Sequence, residues 1–462
     1  MDWKYESLNR LFNPKSIAIV GASDRPERLG ALALVSLQTC DCKKFPVNPR
    51  LKNIGNYPCF PNITSIPESI DLALICVRGP LVPKAMEDAA KAGVRAAIIF
   101  SAGFKELGPQ GEIEQERIKA LVNKSKIAVI GPNCLGAGNN KIDLNATFFP
   151  HPVKMRRGGF SIVSQSGGVC GLMLYSAADA NVGLSKFASV GNRVNIDFPD
   201  ILRYLREDPE TEGICLFIEG TELGREMFDE MALTTPVKPV FVFKVGKTPV
   251  AREAALSHTG SLAGRPELYS AAIKQAGAIE FDSVMDMMDT AKILSISQKK
   301  PTGKNVAIVT HTLGIALIAA QTLEEHNVPL PKPPLDIQDK IEELLEMPMK
   351  FPISNPVDLL AKAWAEPDVF AKAFKYIIEE ESYDSVVTVF APNFQEGIGG
   401  GMPIKEIIQE SKSSDKLVIS ILSSPVTKEP PGKRELEEAG IPVFVSPQRA
   451  GRALANVFRL TR

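Results

Sequence analysis

The sequence predicts an α/β protein built from parallel sheets in consecutive units, and three observations predict it. Short β-branched runs alternate with longer helical patterns from one end of the chain to the other. Runs such as Ile214-Cys215-Leu216-Phe217-Ile218 are apolar at every position, as strands covered on both faces are. The chain has 462 residues, and at roughly 150 residues per domain that length accommodates about three domains, each able to bury its own core.

The elements follow in order. In the first third, strands are expected at Ser16–Val20, Lys44–Val47, Leu72–Val77, Ala96–Ser101 and Ile127–Ile130, with helices over Leu81–Ala92 and Gly111–Asn123. This reads as a doubly wound domain over residues 1–143. A second unit, 144–300, opens with the strand around Phe160–Val163 and continues through Gly213–Ile218 and Pro239–Lys244. The polar stretch Ser297–Lys304 then leads into a third unit, 301–462, which begins at Val306–Val309. The last two units share a series of blocks, as a duplication would produce. FSIVSQSGGV at 160–169 aligns with VAIVTHTLGI at 306–315, NIDFPDIL at 195–202 with NPVDLL at 355–360, and EGICLFIEG at 212–220 with DSVVTVFAP at 384–392.

Composition narrows the function classes. A hydrophobic fraction of 44% and a charged fraction of 23% are those of a globular protein, not of a disordered, collagen-like or disulfide-stapled chain. The net charge of −1 gives no electrostatic case for nucleic acid or an acidic membrane as partner. No apolar run has the length of a membrane span, and the opening MDWKYESLNRLF lacks the apolar core of a secretory signal. The 7 cysteines include a CxC pair, Cys40 and Cys42, but no second pair or nearby histidine completes a zinc site, so no metal is expected. Cysteines inside apolar runs, such as Cys76 and Cys215, read as small hydrophobes in a reducing cytoplasm.

Three motifs carry chemistry. The first, GASDRPERLG from Gly21 to Gly30, follows the first strand and leads into a helix, whose free backbone N–H groups suit an anion. It departs from the GxGxxG dinucleotide fingerprint. The second strand ends not in an acidic residue but in Asn48-Pro49-Arg50-Leu51-Lys52, a basic end that favours a phosphorylated ribose, as in NADP or coenzyme A. In a doubly wound sheet Ser101-Ala102-Gly103-Phe104 and Gly131-Pro132-Asn133-Cys134-Leu135-Gly136 end strands at the same crevice. Cys134 has no adjacent histidine and reads as a buried or ligand-lining thiol rather than a nucleophile.

The second motif, SQSGG from Ser164 to Gly168, is again a strand, a glycine-rich turn and a helix start, suited to a phosphoryl group or explained by a serine N-cap. The third is KTPVAREAALSHTGSLAG, Lys247 to Gly264, where a single histidine, His258, stands among small residues. By residue type alone it is a nucleophile, a general base or an exposed loop residue. Glu219, at the end of a strand, is placed to orient an imidazole by accepting its N–H.

Together IAIVGAS…G, VNP, SAGF, GPNCLG, SQSGG, SVGN, Glu219-Gly220 and SHTGSLAG resemble the NDP-forming acyl-CoA synthetases, relatives of succinyl-CoA synthetase, in that family's order and over nearly the whole chain. Length and order are similar to the separate α subunits of the archaeal-type ADP-forming acetyl-CoA synthetases. The resemblance implies a CoA-binding Rossmann-type domain followed by two flavodoxin-like domains. It implies that His258 is the histidine that becomes phosphorylated, that Glu219 holds it, and that Ser166, Gly167 and Gly168 bind its phosphoryl group. It places Gly21, Ala22, Ser23, Gly30, Arg50, Ser101, Ala102 and Asn133 at the CoA site, with Lys52 an alternative to Arg50. Where the family often has an Asn-Ala-Gly-Gly type of turn, the third unit has Thr310-His311-Thr312-Leu313-Gly314, which puts a phosphate-binding role of that turn in doubt.

The reaction implied is acyl-CoA + ADP + phosphate ⇌ carboxylic acid + ATP + CoA, by way of an acyl phosphate and phosphohistidine. ADP and Mg²⁺ would belong to a partner β subunit with an ATP-grasp fold, most simply in an α2β2 assembly in the cytoplasm. An NADP-dependent reductase leaves SHTG and the two later units unexplained, and a non-catalytic CoA-binding scaffold leaves His258, Glu219 and SQSGG without purpose. A fused protein acetyltransferase would need a further domain.

Overall fold

The computed structural model describes residues 2–150, 155–251, 265–349, 351–391, 401–425 and 427–460. They divide into two compact units, Met1–Val284 and Met285–Arg462.

The first unit contains two sheets. Strands β1 (Ser16–Val20), β2 (Lys43–Val47), β3 (Leu72–Ile75), β4 (Ala96–Ile99) and β5 (Ala128–Ile130) form a parallel sheet in the order β2-β1-β3-β4-β5. Ile17, Ala18 and Ile19 are all fully buried, so both faces of β1 are covered, as its unbroken apolar run requires. The second sheet is built on β8 (Arg157–Ser164), β9 (Leu184–Ser189), β10 (Gly213–Ile218), β11 (Val240–Lys244) and β12 (Ile279–Phe281), parallel in the order β12-β11-β10-β8-β9. Two further strands, β6 (Gly136–Asn139) and β7 (Leu144–Thr147), extend its β9 edge in antiparallel fashion.

These two strands lie on either side of residue 143, where the sequence reading divides the first two domains, and both pair into the second sheet. Glycine makes that pairing possible. A Cβ on Gly138 would lie 2.3 Å from the Phe187 ring, and one on Gly136 would lie 2.3 Å from the Ala146 carbonyl.

The second unit holds one parallel sheet of β13 (Val306–Thr310), β14 (Val357–Asp358), β15 (Ser385–Phe390), β16 (Leu417–Leu422) and β17 (Val443–Phe444), in the order β14-β13-β15-β16-β17. A helix that the sequence reading leaves with the preceding domain, Val284–Ile296, belongs to this unit from Met285 onward. The buried carboxylate of Asp289 takes a two-pronged bond from Arg449, at 2.7 Å for each prong, and Lys292 pairs with Glu437 at 2.7 Å.

Counted within each sheet, the parallel strands run 2-1-3-4-5 in all three cases. The direction of winding reverses between the first and third strands of such a sheet, and ligands bind outside the carboxyl ends there. Cys40 and Cys42 are bonded to each other, while Cys59, Cys76, Cys134, Cys170 and Cys215 are free. Among the described residues no helix is long and apolar enough to cross a membrane.

Candidate functional site

At the reversal point of the first sheet the backbone turns sharply. Gly21 has φ +90°, and a Cβ on it would lie 2.8 Å from Val77. Gly30, at the start of helix α1 (Leu29–Ser36), is closer still: its Cβ would sit 2.2 Å from the Gly21 carbonyl oxygen. Helix and turn therefore touch backbone to backbone, and only glycine fits. The turn is pinned from the second strand, since Asn48 Nδ2 donates to the Ala22 carbonyl at 2.8 Å and Gly21 N–H donates to Val47 at 3.0 Å. Ser23 Oγ accepts from Arg25 N–H at 3.1 Å, shaping the loop into the helix. No side chain caps the start of α1.

These constraints leave a cleft of about 700 Å³. Gly21, Ala22, Ser23, Gly30, Arg50, Ser101 and Ala102 line it, so seven of the eight positions that the resemblance assigns to CoA are brought together. Asn133 is not among the lining residues. It has φ +58°, its N–H donates to the Ser101 carbonyl at 3.0 Å, and Gly191 packs against its own carbonyl.

The sequence reading singled out neither Arg25, Arg28 nor Arg78, yet all three join Arg50 on the cleft wall, against one carboxylate, Asp24. Arg28 has only a loose pairing with Glu27 at 3.9 Å, and Arg25, Arg50 and Arg78 have no carboxylate partner among the described residues. Guanidinium groups with free donors around an uncapped helix start suit a ligand bearing several phosphates. The signal for Arg78 lay in its place, three residues past the strand next to the first one. Cys134 is buried, its thiol directed at the Ile99 carbonyl at 3.4 Å and its pKa pushed well up by burial, so it is no nucleophile.

The second constellation lies at the reversal point of the second sheet. Ser166 caps helix α2 (Gly167–Asp179), accepting from Val169 N–H at 3.4 Å, and Gly168 is exposed. Glu219 and Gly220 leave β10 beside it. One residue joins the two strand ends: Gln165 Oε1 accepts from Glu219 N–H at 2.9 Å and from Gly220 N–H at 3.1 Å. Lys244, buried at the end of β11, donates to the Glu219 carbonyl at 2.8 Å and sits 4.7 Å from the centre of the Tyr269 ring. Burial lowers its pKa to about 8, against the opposing pull of Glu219 and Glu280. Tyr269 in turn accepts from Thr221 N–H at 3.0 Å. The segment 219–221 is thus held from three sides, and neither Gln165 nor Lys244 was picked out by the sequence reading as a support. His258, the expected nucleophile, lies outside the described residues.

A run of hydrogen bonds links the two constellations within this unit. Gly103 N–H donates to Glu106 at 2.6 Å, Asn192 donates to the other Glu106 oxygen at 2.6 Å, and Gly191 N–H donates to the Gln165 carbonyl at 3.2 Å. Burial raises the pKa of Glu106, but its bonds from Gly103, Asn192 and Phe104 outweigh that and leave it low, so it stays an anionic acceptor.

Residues 15–140 match a CoA binding domain, and residues 157–294 match a succinyl-CoA ligase like flavodoxin domain. The α subunit of the ADP-forming acetate–CoA ligase II of Pyrococcus furiosus is 32% identical over 447 residues, which are 96% of this chain and 95% of that subunit. The chain belongs to the ADP-forming acetate–CoA ligase family. The ADP-forming acetate–CoA ligase I of Archaeoglobus fulgidus is 35% identical over 455 residues, 98% of this ligase-family chain, which spans only 64% of that longer relative. A dinucleotide-forming acetyl-coenzyme A synthetase 1 of Ca. Korarchaeum cryptofilum, in complex with phosphate and ADP, has a TM-score of 0.87 at 29% identity and covers 98% of this chain with 96% of its own. The fold of this ligase-family chain is therefore a CoA-binding domain followed by flavodoxin-like, parallel-sheet domains.

Proposed function

We propose that the chain is the α subunit of an ADP-forming acyl-CoA synthetase acting on acetyl-CoA or a related thioester. The observation that carries this reading is the pairing, in one unit, of an arginine-walled cleft at the first reversal point with an anion-ready helix start beside Glu219 at the second. The work divides by sheet: the first sheet and its cleft serve CoA, the second serves the phosphoryl chemistry, and the third belongs to a further flavodoxin-like domain.

CoA lies in the cleft with its adenosine-phosphate end toward Ser23 and Arg50, and the backbone at Gly21, Gly30, Ser101 and Ala102 lets it approach closely. Phosphate attacks the thioester carbonyl, giving an acyl phosphate and free CoA. An unprotonated nitrogen of His258 then takes the phosphoryl group while the carboxylate leaves. Glu219 accepts the proton-bearing nitrogen's hydrogen bond and so selects the tautomer that exposes the other. The N–H groups at Ser166, Gly167 and Gly168 stabilise the phosphoryl charge. ADP, with Mg²⁺, accepts the phosphoryl group on a β subunit of ATP-grasp fold in an α2β2 complex, and we place this work in the cytoplasm.

The test is to incubate the α–β complex with labelled ATP, quench in base and map the labelled peptide. Label is expected on His258. The His258→Ala variant should lose both the label and ATP formation while CoA binding, in another domain, persists. Label on another residue of this chain would sink the mechanism.

A further inference from the structure

We infer that the side-chain amide of Gln165 is a donor to the phosphoryl group: its oxygen fixes the Glu219–Gly220 turn, and its nitrogen bonds an oxygen of the anion held at the start of α2. The inference deepens the function proposed above and rests on it for the identity of the anion.

Gln165 is 4% exposed, and its backbone is pinned by its N–H to the Phe217 carbonyl at 3.0 Å and by Gly191 N–H to its carbonyl at 3.2 Å. The two N–H groups that converge on one side-chain atom identify that atom as the oxygen, because an NH2 group there would face two donors. The amide is therefore held in one orientation. Its nitrogen, which covalent geometry keeps about 2.2 Å from that oxygen, is buried and has no hydrogen-bond partner. A buried donor left unmade is costly, and in a native protein it calls for an explanation. The next residue is the N-cap of α2, so the residue that carries the orphan donor directly precedes a helix start whose N–H groups favour an anion.

The third sheet supplies an internal control. His311 occupies the place of Gln165 in the duplicated block, and its Nε2 accepts from Ala391 N–H at 3.1 Å, the counterpart of the Glu219 N–H bond. The structural half of the role, joining the first and third strand ends, thus needs only an acceptor. The spare NH2 occurs in the copy that also carries Glu219 and the SQSGG turn. Its purpose is chemical.

The experiment measures binding of labelled inorganic phosphate to the full chain by equilibrium dialysis, for wild type, Gln165→His and Gln165→Glu. Histidine retains an acceptor for the Glu219 N–H, as His311 does for that of Ala391, and glutamate retains the shape while replacing the donor with a repelling oxygen. Phosphate should bind about 10- to 100-fold more weakly to Gln165→His, on the scale of a lost bond to a charged group, and more weakly again to Gln165→Glu. CoA binding should be unchanged. In the α–β complex the KM for phosphate should rise and that for acyl-CoA should not, whereas a merely structural defect would move both. Wild-type phosphate affinity in either folded variant, or no saturable phosphate binding by wild type, overturns the inference. If His258→Ala still makes ATP, the proposed mechanism fails, while the dialysis still decides the role of Gln165.

Discussion

Arg50 shows how a single residue type was informative before its surroundings were known. Its position after the second strand suggested a ligand with a phosphorylated ribose, and the structure sets it on the wall of a cleft with three more arginines. Its N–H donates to Asn48 Oδ1 at 2.9 Å, so the same asparagine that pins the Gly21 turn also orients the backbone of Arg50. Only CoA carries the 3′-phosphate that dephospho-CoA lacks. Arg50→Glu should therefore weaken CoA by about tenfold or more, on the scale of a charge-assisted bond, and dephospho-CoA much less. Dialysis with the two ligands separates the cases, and equal losses would mean that the basic strand end does not meet that phosphate. Arg25 and Arg28 were not foreseen, because nothing local distinguishes them from arginines on a solvated surface.

Among the elements, the fully apolar strands were legible, whereas β6, β7, β9 and β12 were not, nor were the attachments between elements. β1, β3, β4 and β10 are short apolar runs whose burial on both faces follows from their own composition. The helix Val284–Ile296 is different, since several sheets offer a surface on which an apolar stripe can lie. Its side is decided by Asp289 and Lys292 meeting Arg449 and Glu437, far away in sequence. The stitch between first and third strands also has a consequence at this scale. His311 must be neutral at Nε2 to accept from Ala391 N–H, and burial lowers its pKa. Below about pH 6.5 the unfolded chain then binds more protons at this position than the folded one. The stabilisation is present above that pH and is lost as pH falls through the folded value. His311→Gln, which copies position 165, should keep the acceptor and remove the titration. Chemical unfolding of the full chain between about pH 7.5 and about pH 5 should show a flatter decline for the variant than for wild type. Parallel curves would refute the assignment.

At the scale of the molecule, three sheets share one strand order, and the proposed chemistry uses the reversal points of two of them. The third retains the stitch but has Thr312 at its turn, whose N–H bonds Thr310 Oγ1 at 2.8 Å, and no side chain caps the helix that follows. The α-subunit role proposed here implies that nucleotide chemistry happens on a partner. Purified alone with acetyl-CoA, ADP and phosphate, the chain should form no ATP, and adding an ATP-grasp β subunit should restore turnover. Robust ATP synthesis by the single chain, followed by coupled luminescence, would overturn that division of labour.

The sequence by itself determined the α/β class, the fully apolar strands and the glycine turns that follow them, because these depend on residue type over a few neighbouring positions. It also carried the motifs by which the family is recognised. Tertiary structure decided which strand ends meet: that β6 and β7 join the second sheet, that four arginines converge on one cleft, that Asn133 leaves its wall, and that Gln165 spans β8 and β10 with one donor to spare. Pairing between strands is set by contacts across dozens of residues and by the exclusion of water from both faces, and no local stretch of the chain encodes either one.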